Sequence, residues 1–193
     1  MHATEGIRAQ QHNTRTHDVG FMVFNSFGQA LEQTSSNPTL HQMLINQGYV
    51  NVVLTAAHSL ASRFDPVVGC IQSWEAGRVC RADPSYEATF PVIIDNMMNL
   101  ELLFWAAVQS GNATLSRIAE SHANTSAAHH VRPDGSTFHV VDYSPSTGAV
   151  RRRCTNQGLT DNSTWARGQA WCIYGFTMAY RYSNLPLHLQ TAQ

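Results

Sequence analysis

The sequence predicts an all-α fold, in which helices form two concentric layers of an α/α toroid. Segments that are apolar on nearly every side alternate with segments that are apolar on one face, in the order inner, outer, inner, outer, inner. A helix that is apolar all round must be covered on all sides, whereas an amphipathic helix covers a core and faces water. In addition, each long loop follows an outer helix and leads into the next inner one.

Five helices carry this prediction. The inner helices are predicted over 18–33, 95–109 and 164–182, and the outer helices over 39–64 and 114–129. In the first outer helix, Val50, Val53 and Leu54 begin an i, i+3, i+4 pattern that Ala57 and Ala61 continue. Such spacing is typical of a helix with one buried face.

Turn residues predict the last helix start and the segments between helices. Asn162-Ser163 precedes the last helix and is expected to cap its free N–H groups. Residues 65–90 are rich in Pro, Gly and other turn formers, which predicts a loop. Residues 132–150 are predicted as a small β-hairpin, with one strand over 136–143 between two turn sequences.

Composition is typical of a soluble single domain and excludes two classes of partner. A chain of 193 residues, 43% of them hydrophobic, is sufficient for one core. The net charge is −1, and Arg151-Arg152-Arg153 is the single basic run, so a nucleic-acid groove is not expected. No apolar run has the length of a membrane span, and the compartment stays open between cytoplasmic and secreted. Cys70 and Cys80 could close a short loop or remain separate thiols.

The stretch VIIDNMMNLELLFW, residues 92–105, places one carboxylate, Asp95, at the start of an apolar helix. A buried carboxylate must be paired, hydrogen-bonded or used in a reaction. Ile94 and Met97 are expected to desolvate it and raise its pKa, as a general acid at neutral pH requires. The helix dipole acts in the opposite direction, because it stabilises the charged form. An N-cap role is the structural alternative.

Asp18 stands at the start of the first inner helix, in THDVGF. From position alone, an N-cap role explains Asp18 as well as a chemical role does. The N-terminal ends of the inner helices would line one mouth of the toroid, where free N–H groups favour anions. Two carboxylates at that mouth would suit the hydrolysis of a glycosidic bond.

Two further segments supply polar side chains. His139 lies on the predicted strand, where it either faces solvent or belongs to the site, and Asp142 is predicted to be a turn-side residue rather than a catalyst. In WARGQAW, Arg167 and Trp171 are four residues apart and are predicted to share a helix face. An Arg beside aromatic rings suits the carboxylate and ring of a uronic acid, and a stacked Arg at a helix start is the alternative.

Four stretches together resemble the unsaturated glucuronyl hydrolases, glycoside hydrolase family 88. They are THDVGF, PVIIDNMMNLELLFWA, RPDGSTFHVV and NQGLTDNSTWARGQAWCIYGFTMAYRY, which occur in the order that the family has them. The resemblance implies an (α/α)6 barrel of six helical hairpins, which agrees with the alternation of the helices. It also implies a reaction that needs no metal and no organic cofactor.

The resemblance implies an unusual glycosidase reaction. The family removes the 4,5-unsaturated uronic acid that polysaccharide lyases leave at the non-reducing end of glycosaminoglycan-type oligosaccharides. An acidic group protonates C4 of the vinyl ether, water adds at C5, and the resulting hemiketal opens and releases the neighbouring sugar. The enzymatic alternative is a hydrolase of unsaturated rhamnogalacturonan, which shares the barrel and the mechanism. The alternative outside enzymes is a non-catalytic remnant.

The resemblance assigns roles to nine residues of this sequence. Asp95 corresponds to the proton donor and water-activating base, Asp18 to a second essential carboxylate, and His139 to a histidine near the reacting carbons. The expected sugar-binding residues are His17, Trp74, Gln157, Trp165, Arg167 and Trp171.

The sequence departs from the family in two respects. Asn156-Gln157-Gly158-Leu159 stands where the family commonly has His-Gln-Gly-Tyr, which is expected to weaken contacts with the substrate. Family members are about twice as long, so residues 1–193 are expected to form a single partial domain without the first and last helices of the barrel. Exposed apolar faces would follow, and with them self-association.

Overall fold

The computed structural model describes residues 2–193, which form helices with two small antiparallel sheets between them. The α-helices are α1 (His2–Glu5), α2 (Val19–Val23), α3 (Gln29–Thr34), α4 (Pro38–Asn46), α5 (Tyr49–Ala61), α6 (Leu100–Ser110), α7 (Ala113–His130), α8 (Ala166–Ser183) and α9 (Pro186–Ala192). Shorter helical turns are two 3-10 helices, Arg8–His12 and Ile94–Asn99, and a π-helix, Phe24–Gly28. The strands are β1 (Phe64–Asp65), β2 (Cys70–Ile71), β3 (Pro91–Ile93), β4 (Val140–Tyr143) and β5 (Val150–Cys154). Within this range, no helix has both the length and the apolar character that a membrane crossing requires.

Burial divides the helices into an inner and an outer layer, as predicted. α2, the π-helix and α3 follow one another as the first inner helix, which buries Val19, Phe27 and Leu31. In α6, the second inner helix, every residue from Leu100 to Ala107 is buried. The outer helices α5 and α7 bury one face each and pack on α6. The alternation of inner and outer helices is therefore confirmed.

The third inner helix, α8, differs from the first two because it is buried on one face only. Cys172, Phe176 and Ala179 pack toward the core, whereas Ile173 and Tyr174 are exposed. The short helix α9, which the sequence analysis did not predict, packs against α8 and α7 as a third outer helix.

The first outer helix is two helices rather than the single one predicted over 39–64. α4 ends before Gly48, whose φ of +78° lies in the left-handed region that favours glycine, and α5 begins at Tyr49. A glycine in this conformation ends a helix, so the apolar pattern from Val50 onward belongs to α5 alone.

The start of α8 also differs from the prediction. Trp165, rather than Asn162 or Ser163, occupies the N-cap position, and its side chain makes no capping hydrogen bond. The Ser163 hydroxyl closes the preceding turn instead, because it donates to the Thr160 carbonyl and accepts from the Thr160 N–H. The helix therefore begins at Ala166, and Trp165 stays outside it.

A three-stranded sheet, in the order β3-β4-β5, leads the chain into the second inner helix. Its register pairs Ile93 with Val140. The strand predicted over 136–143 begins only at Val140, since the Asp134 carboxylate holds the preceding turn by accepting from the N–H and hydroxyl of Ser136.

Two predictions about this sheet are wrong. Asp142, predicted to lie at a turn, is fully buried in β4, where it accepts hydrogen bonds from the Tyr86 hydroxyl (2.6 Å) and Arg151 (2.8 Å). The hairpin predicted over 132–150 extends further, because its second strand, β5, runs from Val150 to Cys154 and contains the basic run 151–153. Burial of Asp142 is tolerated because its oxygens are hydrogen-bonded and one faces a cation.

Close contacts bring the three inner helices together around the 3-10 helix that carries Asp95. A Cβ placed on Gly175 of α8 would overlap the side chain and backbone of Met97. A Cβ placed on Gly20 of α2 would overlap the side chain of Asn99. Glycine at both positions therefore allows the neighbouring helices to approach the segment that positions Asp95.

One disulfide, Cys80–Cys154, joins the loop before β3 to the end of β5. Cys70 and Cys172 are free and buried, so a Cys70–Cys80 loop is not formed. The bonded residues are 74 positions apart, and the sheet brings them together. Local spacing therefore contained no signal for this pair.

Candidate active site

The candidate active site surrounds Asp95, which follows β3 directly. Backbone hydrogen bonds fix the chain on both sides of this point. The Ile94 N–H donates to the His139 carbonyl (3.0 Å), and the Ile93 N–H donates to Ser73 Oγ (2.9 Å). The sheet therefore sets the distance between Asp95 and His139.

Two buried asparagines beside Asp95 bridge the neighbouring elements. Asn96 donates to the Ile71 carbonyl (3.0 Å) and accepts from the Asn99 amide (3.2 Å). Asn99 in turn accepts from the Phe21 N–H (2.7 Å) at the start of the first inner helix. Buried amides with partners at both ends make a local structure rigid. This explains why an apolar run contains asparagines next to Asp95.

Burial dominates the electrostatics of Asp95. Its side chain is 12% exposed, and desolvation raises its pKa, although electrostatic interactions with His17 and Arg167 lower it. The negative charge of Asp18 adds to the upward shift. Among the described residues, none hydrogen-bonds Oδ2, which lies 3.6 Å from His139 Nε2. The carboxyl group is thus able to keep a proton and to donate it to a bound molecule.

Asp18 has different surroundings, although it too stands at a helix start. Its side chain is 49% exposed, lies 3.2 Å from His17 Nε2 and accepts from the Thr16 hydroxyl (3.1 Å). The interaction with His17 is the main cause that lowers the pKa of Asp18. Asp18 occupies the N-cap position of α2, but its carboxylate makes no capping hydrogen bond, so the expected capping role of the side chain is wrong. The side chain of His17 is fully buried, and the backbone N–H of this residue donates to the Ser73 carbonyl (3.1 Å).

His139 is buried, and its hydrogen bonds fix one ring tautomer. Nδ1 accepts from the backbone N–H groups of Asn156 (3.1 Å) and Gln157 (3.3 Å), and the Thr155 hydroxyl lies 3.3 Å away. A ring nitrogen that accepts hydrogen bonds carries no proton. In the neutral ring, the proton therefore sits on Nε2, the atom that faces Asp95.

The surroundings also keep the ring of His139 neutral. Burial, together with electrostatic interactions with Arg167 and His17, lowers the pKa of His139 to about 4. Protonation of Nδ1 would also place a new N–H against two N–H donors. The Nε2–H of His139 therefore faces Asp95 Oδ2 at 3.6 Å, a distance too long for a hydrogen bond, and the interpretation of a solvent-facing hairpin histidine is wrong.

Aromatic rings and one guanidinium group surround His139. The ring of Trp165 lies 4.5 Å from the His139 ring, and that of Trp74 lies 6.4 Å away at a right angle. The Arg167 guanidinium stacks on Trp165 at 4.1 Å and donates to the side chain of Gln157. These contacts bring five of the expected sugar-binding and catalytic residues into one group.

Trp171 lies one turn after Arg167 in α8, so the two residues share a helix face, as predicted. The ring of Trp171 packs edge-on against Phe21 at 5.5 Å, whereas the Arg167 guanidinium stacks on Trp165. The i, i+4 rule applies within a helix. Trp165 precedes the first helical residue, so its ring is free to fold back onto Arg167.

Two cavities lie near these elements. A cavity of about 450 Å³ is lined by two residues that contact His139, Trp74 and Asn156, and by Glu75, Ala76, Gly77, Arg78 and Val79. A larger groove, about 790 Å³, lies between α7, α8 and α9 and contains none of the nine expected site residues. We place the site at Asp95, because unpartnered buried atoms of Asp95, His139 and His17 lie there.

Residues that the sequence analysis did not predict position the site. Ser73 contacts both the strand before Asp95 and His17, and Thr155 contacts His139. These contacts are long-range, so no local pattern indicates them. Within residues 2–193, no group of three His, Cys, Asp or Glu side chains could hold a metal ion.

Comparison with known proteins identifies close relatives. No protein-family model matches the chain. The chain is 46% identical to an unsaturated glucuronyl hydrolase from Formosa agariphila over 184 aligned residues. The alignment covers 95% of this chain and 42% of the relative. The solved structure of an unsaturated glucuronyl hydrolase specific for heparin matches 98% of this chain and 46% of that chain, with a TM-score of 0.84 and 37% identity. A variant enzyme solved with the saccharide dGlcA-Glc-Rha-Glc matches with a TM-score of 0.80 and 34% identity, over 98% of this chain and 47% of that chain. The chain thus spans less than half the length of these relatives.

Proposed function

The chain belongs to the unsaturated glucuronyl hydrolase family, and we propose that it releases 4,5-unsaturated glucuronic acid from the non-reducing end of lyase-generated oligosaccharides. The reaction hydrates a vinyl ether and does not attack the anomeric carbon. Glycosaminoglycan fragments are the proposed substrates, in keeping with the relative specific for heparin. The proposal extends an activity of longer relatives to a chain that spans under half their length.

The observation that carries the proposal is the state of Asp95. Its carboxyl group is buried, has a raised pKa and presents an oxygen without a partner among the described residues. A carboxyl group of this kind remains protonated at a higher pH than usual and can give its proton to C4 of the vinyl ether. The positive charge that develops at C5 is shared with the ring oxygen.

The same carboxylate then completes the hydration. It takes a proton from a water molecule whose oxygen bonds to C5, which gives a hemiketal and restores the acid form of Asp95. The hemiketal opens to a ketone at C5, and the hemiacetal that results at C1 expels the neighbouring sugar as an alcohol. One water molecule is consumed, and the uronic acid leaves as an open-chain dicarbonyl compound.

His139 and Asp18 would support the two charge states of Asp95. The Nε2–H of His139 would hydrogen-bond the carboxylate that forms after proton transfer. Asp18, whose pKa is lowered, would be ionised and would favour the positive charge at C5. His139 would therefore stabilise the negative charge that the proton transfer leaves on Asp95, and Asp18 would stabilise the positive charge that it creates on the sugar.

Arg167 would bind the carboxylate of the uronic acid. Its guanidinium is oriented by the stack on Trp165 and by the contact with Gln157. A planar guanidinium forms paired hydrogen bonds with a carboxylate. Trp74 and Trp171 would line the sugar on either side, with His17 beneath Asp18.

An absorbance assay tests the proposal. Purified protein is mixed with an unsaturated chondroitin disaccharide, and loss of the ultraviolet absorbance of the conjugated double bond is followed. We expect steady loss that Asp95→Asn abolishes and that the distant variant Glu120→Gln on α7 retains. A folded wild-type protein that leaves the absorbance of unsaturated chondroitin and heparin disaccharides unchanged would reject the proposal.

A further inference from the structure

The turn that follows β5 holds the ring of His139. Backbone N–H groups of Asn156 and Gln157 both point to Nδ1, and the Gly158 N–H donates to the Thr155 hydroxyl (2.8 Å). No strand pairing reaches these residues, since β5 ends at Cys154. The position of the turn must therefore be set by other contacts.

Four links tie this turn to a second segment, residues 79–81, and the longest of them is a hydrogen bond from the Arg81 guanidinium to the Gly158 carbonyl (3.4 Å). The disulfide joins Cys80 to Cys154. On one side of it, the Asn156 side-chain amide donates to the Val79 carbonyl (3.0 Å), and on the other, the Arg81 N–H donates to the Thr155 carbonyl (2.8 Å). Both cysteines are at least 95% buried, so the link lies inside the protein next to the site.

We propose that the Cys80–Cys154 disulfide and the Asn156 amide are positioning residues, which keep His139 in the tautomer that presents Nε2–H to Asp95. The links act through the backbone N–H groups of Asn156 and Gln157, which prevent a proton from residing on Nδ1. The consequence for turnover rests on the proposed function, whereas the consequence for the tautomer does not.

Opening the disulfide would release this constraint. Reduction by a dithiol breaks the S–S bond, gives two thiols at Cys80 and Cys154, and converts the dithiol into its own disulfide. The turn 155–158 would then be held by hydrogen bonds alone, namely those to Val79 and Arg81 and the one that the Thr155 N–H donates to Asp161 (3.0 Å). As the N–H groups move away from Nδ1, the ring of His139 would populate both tautomers, and Nε2 would lose its proton in part of the molecules.

The first test measures the tautomer directly. In ¹⁵N-labelled protein, long-range nitrogen–proton correlation spectra distinguish a protonated from an unprotonated ring nitrogen. We expect one tautomer for His139 in the oxidised protein and averaged nitrogen shifts after reduction or in the double variant Cys80→Ser/Cys154→Ser. A reduced, folded protein that retains the single Nε2–H tautomer would overturn the proposal.

The second test separates positioning from stability by turnover. We expect reduction to lower kcat about tenfold or more and to change KM by less than about threefold, since small displacements of reacting groups affect the chemical step. Reoxidation should restore kcat, and the double variant should respond to neither treatment. That variant retains Cys70 and Cys172, so it controls for reactions at the free thiols.

A single substitution covers the case in which the reduced protein unfolds. Asn156→Ala leaves the disulfide intact and removes the hydrogen bond to the Val79 carbonyl alone. We expect a smaller effect in the same direction, with a second His139 tautomer visible. An unchanged His139 tautomer in folded Asn156→Ala would refute the role of the amide. Both tautomer measurements use spectra rather than activity, so they can be made even if the protein has no turnover.

Discussion

Asp95 and Asp18 begin neighbouring inner helices, yet their surroundings shift their pKa values in opposite directions. Asp95 is 12% exposed, and desolvation raises its pKa, whereas Asp18 is 49% exposed and its contact with His17 lowers its pKa. A helix start favours the charged form at both positions. The difference therefore arises from the loops and strands that cover one carboxylate and leave the other open, and not from the helices that carry them.

The largest expected difference between the two carboxylates is in turnover. In the proposed reaction, Asp95→Asn removes the proton that is transferred and Asp18→Asn removes a charge that supports the transfer. We therefore expect the first to lower kcat by about 10³-fold or more and the second by about 10²-fold. Steady-state kinetics on an unsaturated disaccharide measure both values. Circular dichroism should show an unchanged fold. The reverse order of effects would show that the roles are assigned to the wrong residues.

A third carboxylate, Glu101 on α6, separates burial from chemistry. Burial raises the pKa of Glu101 to about 7, and the Tyr174 hydroxyl lies 3.4 Å from it. The unfolded chain ionises near the model-compound value of 4.5, so the folded state becomes less stable as the pH rises from 4.5 to about 7.

We therefore expect Glu101→Gln to stabilise the protein by roughly 2–3 kcal/mol at pH 8 and to have little effect at pH 4. Urea unfolding at the two pH values measures the difference. Turnover should be retained, in contrast to Asp95→Asn. Equal stabilisation at both pH values would mean that packing, not ionisation, is the cause.

How much of this site could be predicted from the sequence depends on the range of each contact. The alternation of inner and outer helices follows from the periodicity of apolar residues, which is a local property of the sequence. The division of the first outer segment into two helices was missed because the apolar pattern continues across the break at Gly48. The burial of Asp95 followed from its apolar neighbours in the chain. The roles of the nine site residues came from the resemblance, and they remain predictions.

The contacts that set the states of these residues join distant parts of the chain. The disulfide, the Ser73 contacts and the N–H groups on His139 Nδ1 span sequence separations that no local pattern encodes. The direction of the Asp95 pKa shift depended on the same covering layer. The apolar neighbours of Asp95 in the sequence therefore predicted that this carboxylate is buried, and the tertiary contacts set the direction of its pKa shift.

The asparagine bridge between the two helix starts gives the next largest effect. Asn99→Ala would leave the Phe21 N–H without its acceptor and Asn96 Oδ1 without its donor, both in a buried region. We expect the free energy of unfolding to fall by about 2 kcal/mol, since buried polar groups without partners are costly. The exposed variant Asn46→Ala serves as the matched control and should change it by less than about 0.5 kcal/mol. Similar losses in the two variants would contradict the bridge.

The smallest expected effects are the changes in stability of the two carboxylate variants, and Asp95→Asn has the larger of the two. Because the folded-state pKa of Asp95 is raised, the unfolded chain ionises first, and stability declines as the pH rises from 3.8 toward the folded value. Asp95→Asn removes this decline and should stabilise the protein by about 1 kcal/mol at pH 7.

Asp18 should behave in the opposite way, because its lowered pKa contributes stability above 3.8 that is lost as the pH falls through the folded value. Its exposure keeps the effect small, and we expect Asp18→Asn to destabilise the protein by a few tenths of a kcal/mol at pH 7. Thermal unfolding of the wild-type protein and both variants between pH 3 and pH 8 measures how each difference in stability changes with pH. If the two stability differences change with pH in opposite directions, the ionised Asp95 carboxylate destabilises the folded protein, and the proposed reaction uses a group that the fold retains at a cost in stability. If they change in the same direction, the two carboxylates do not differ in their electrostatic surroundings.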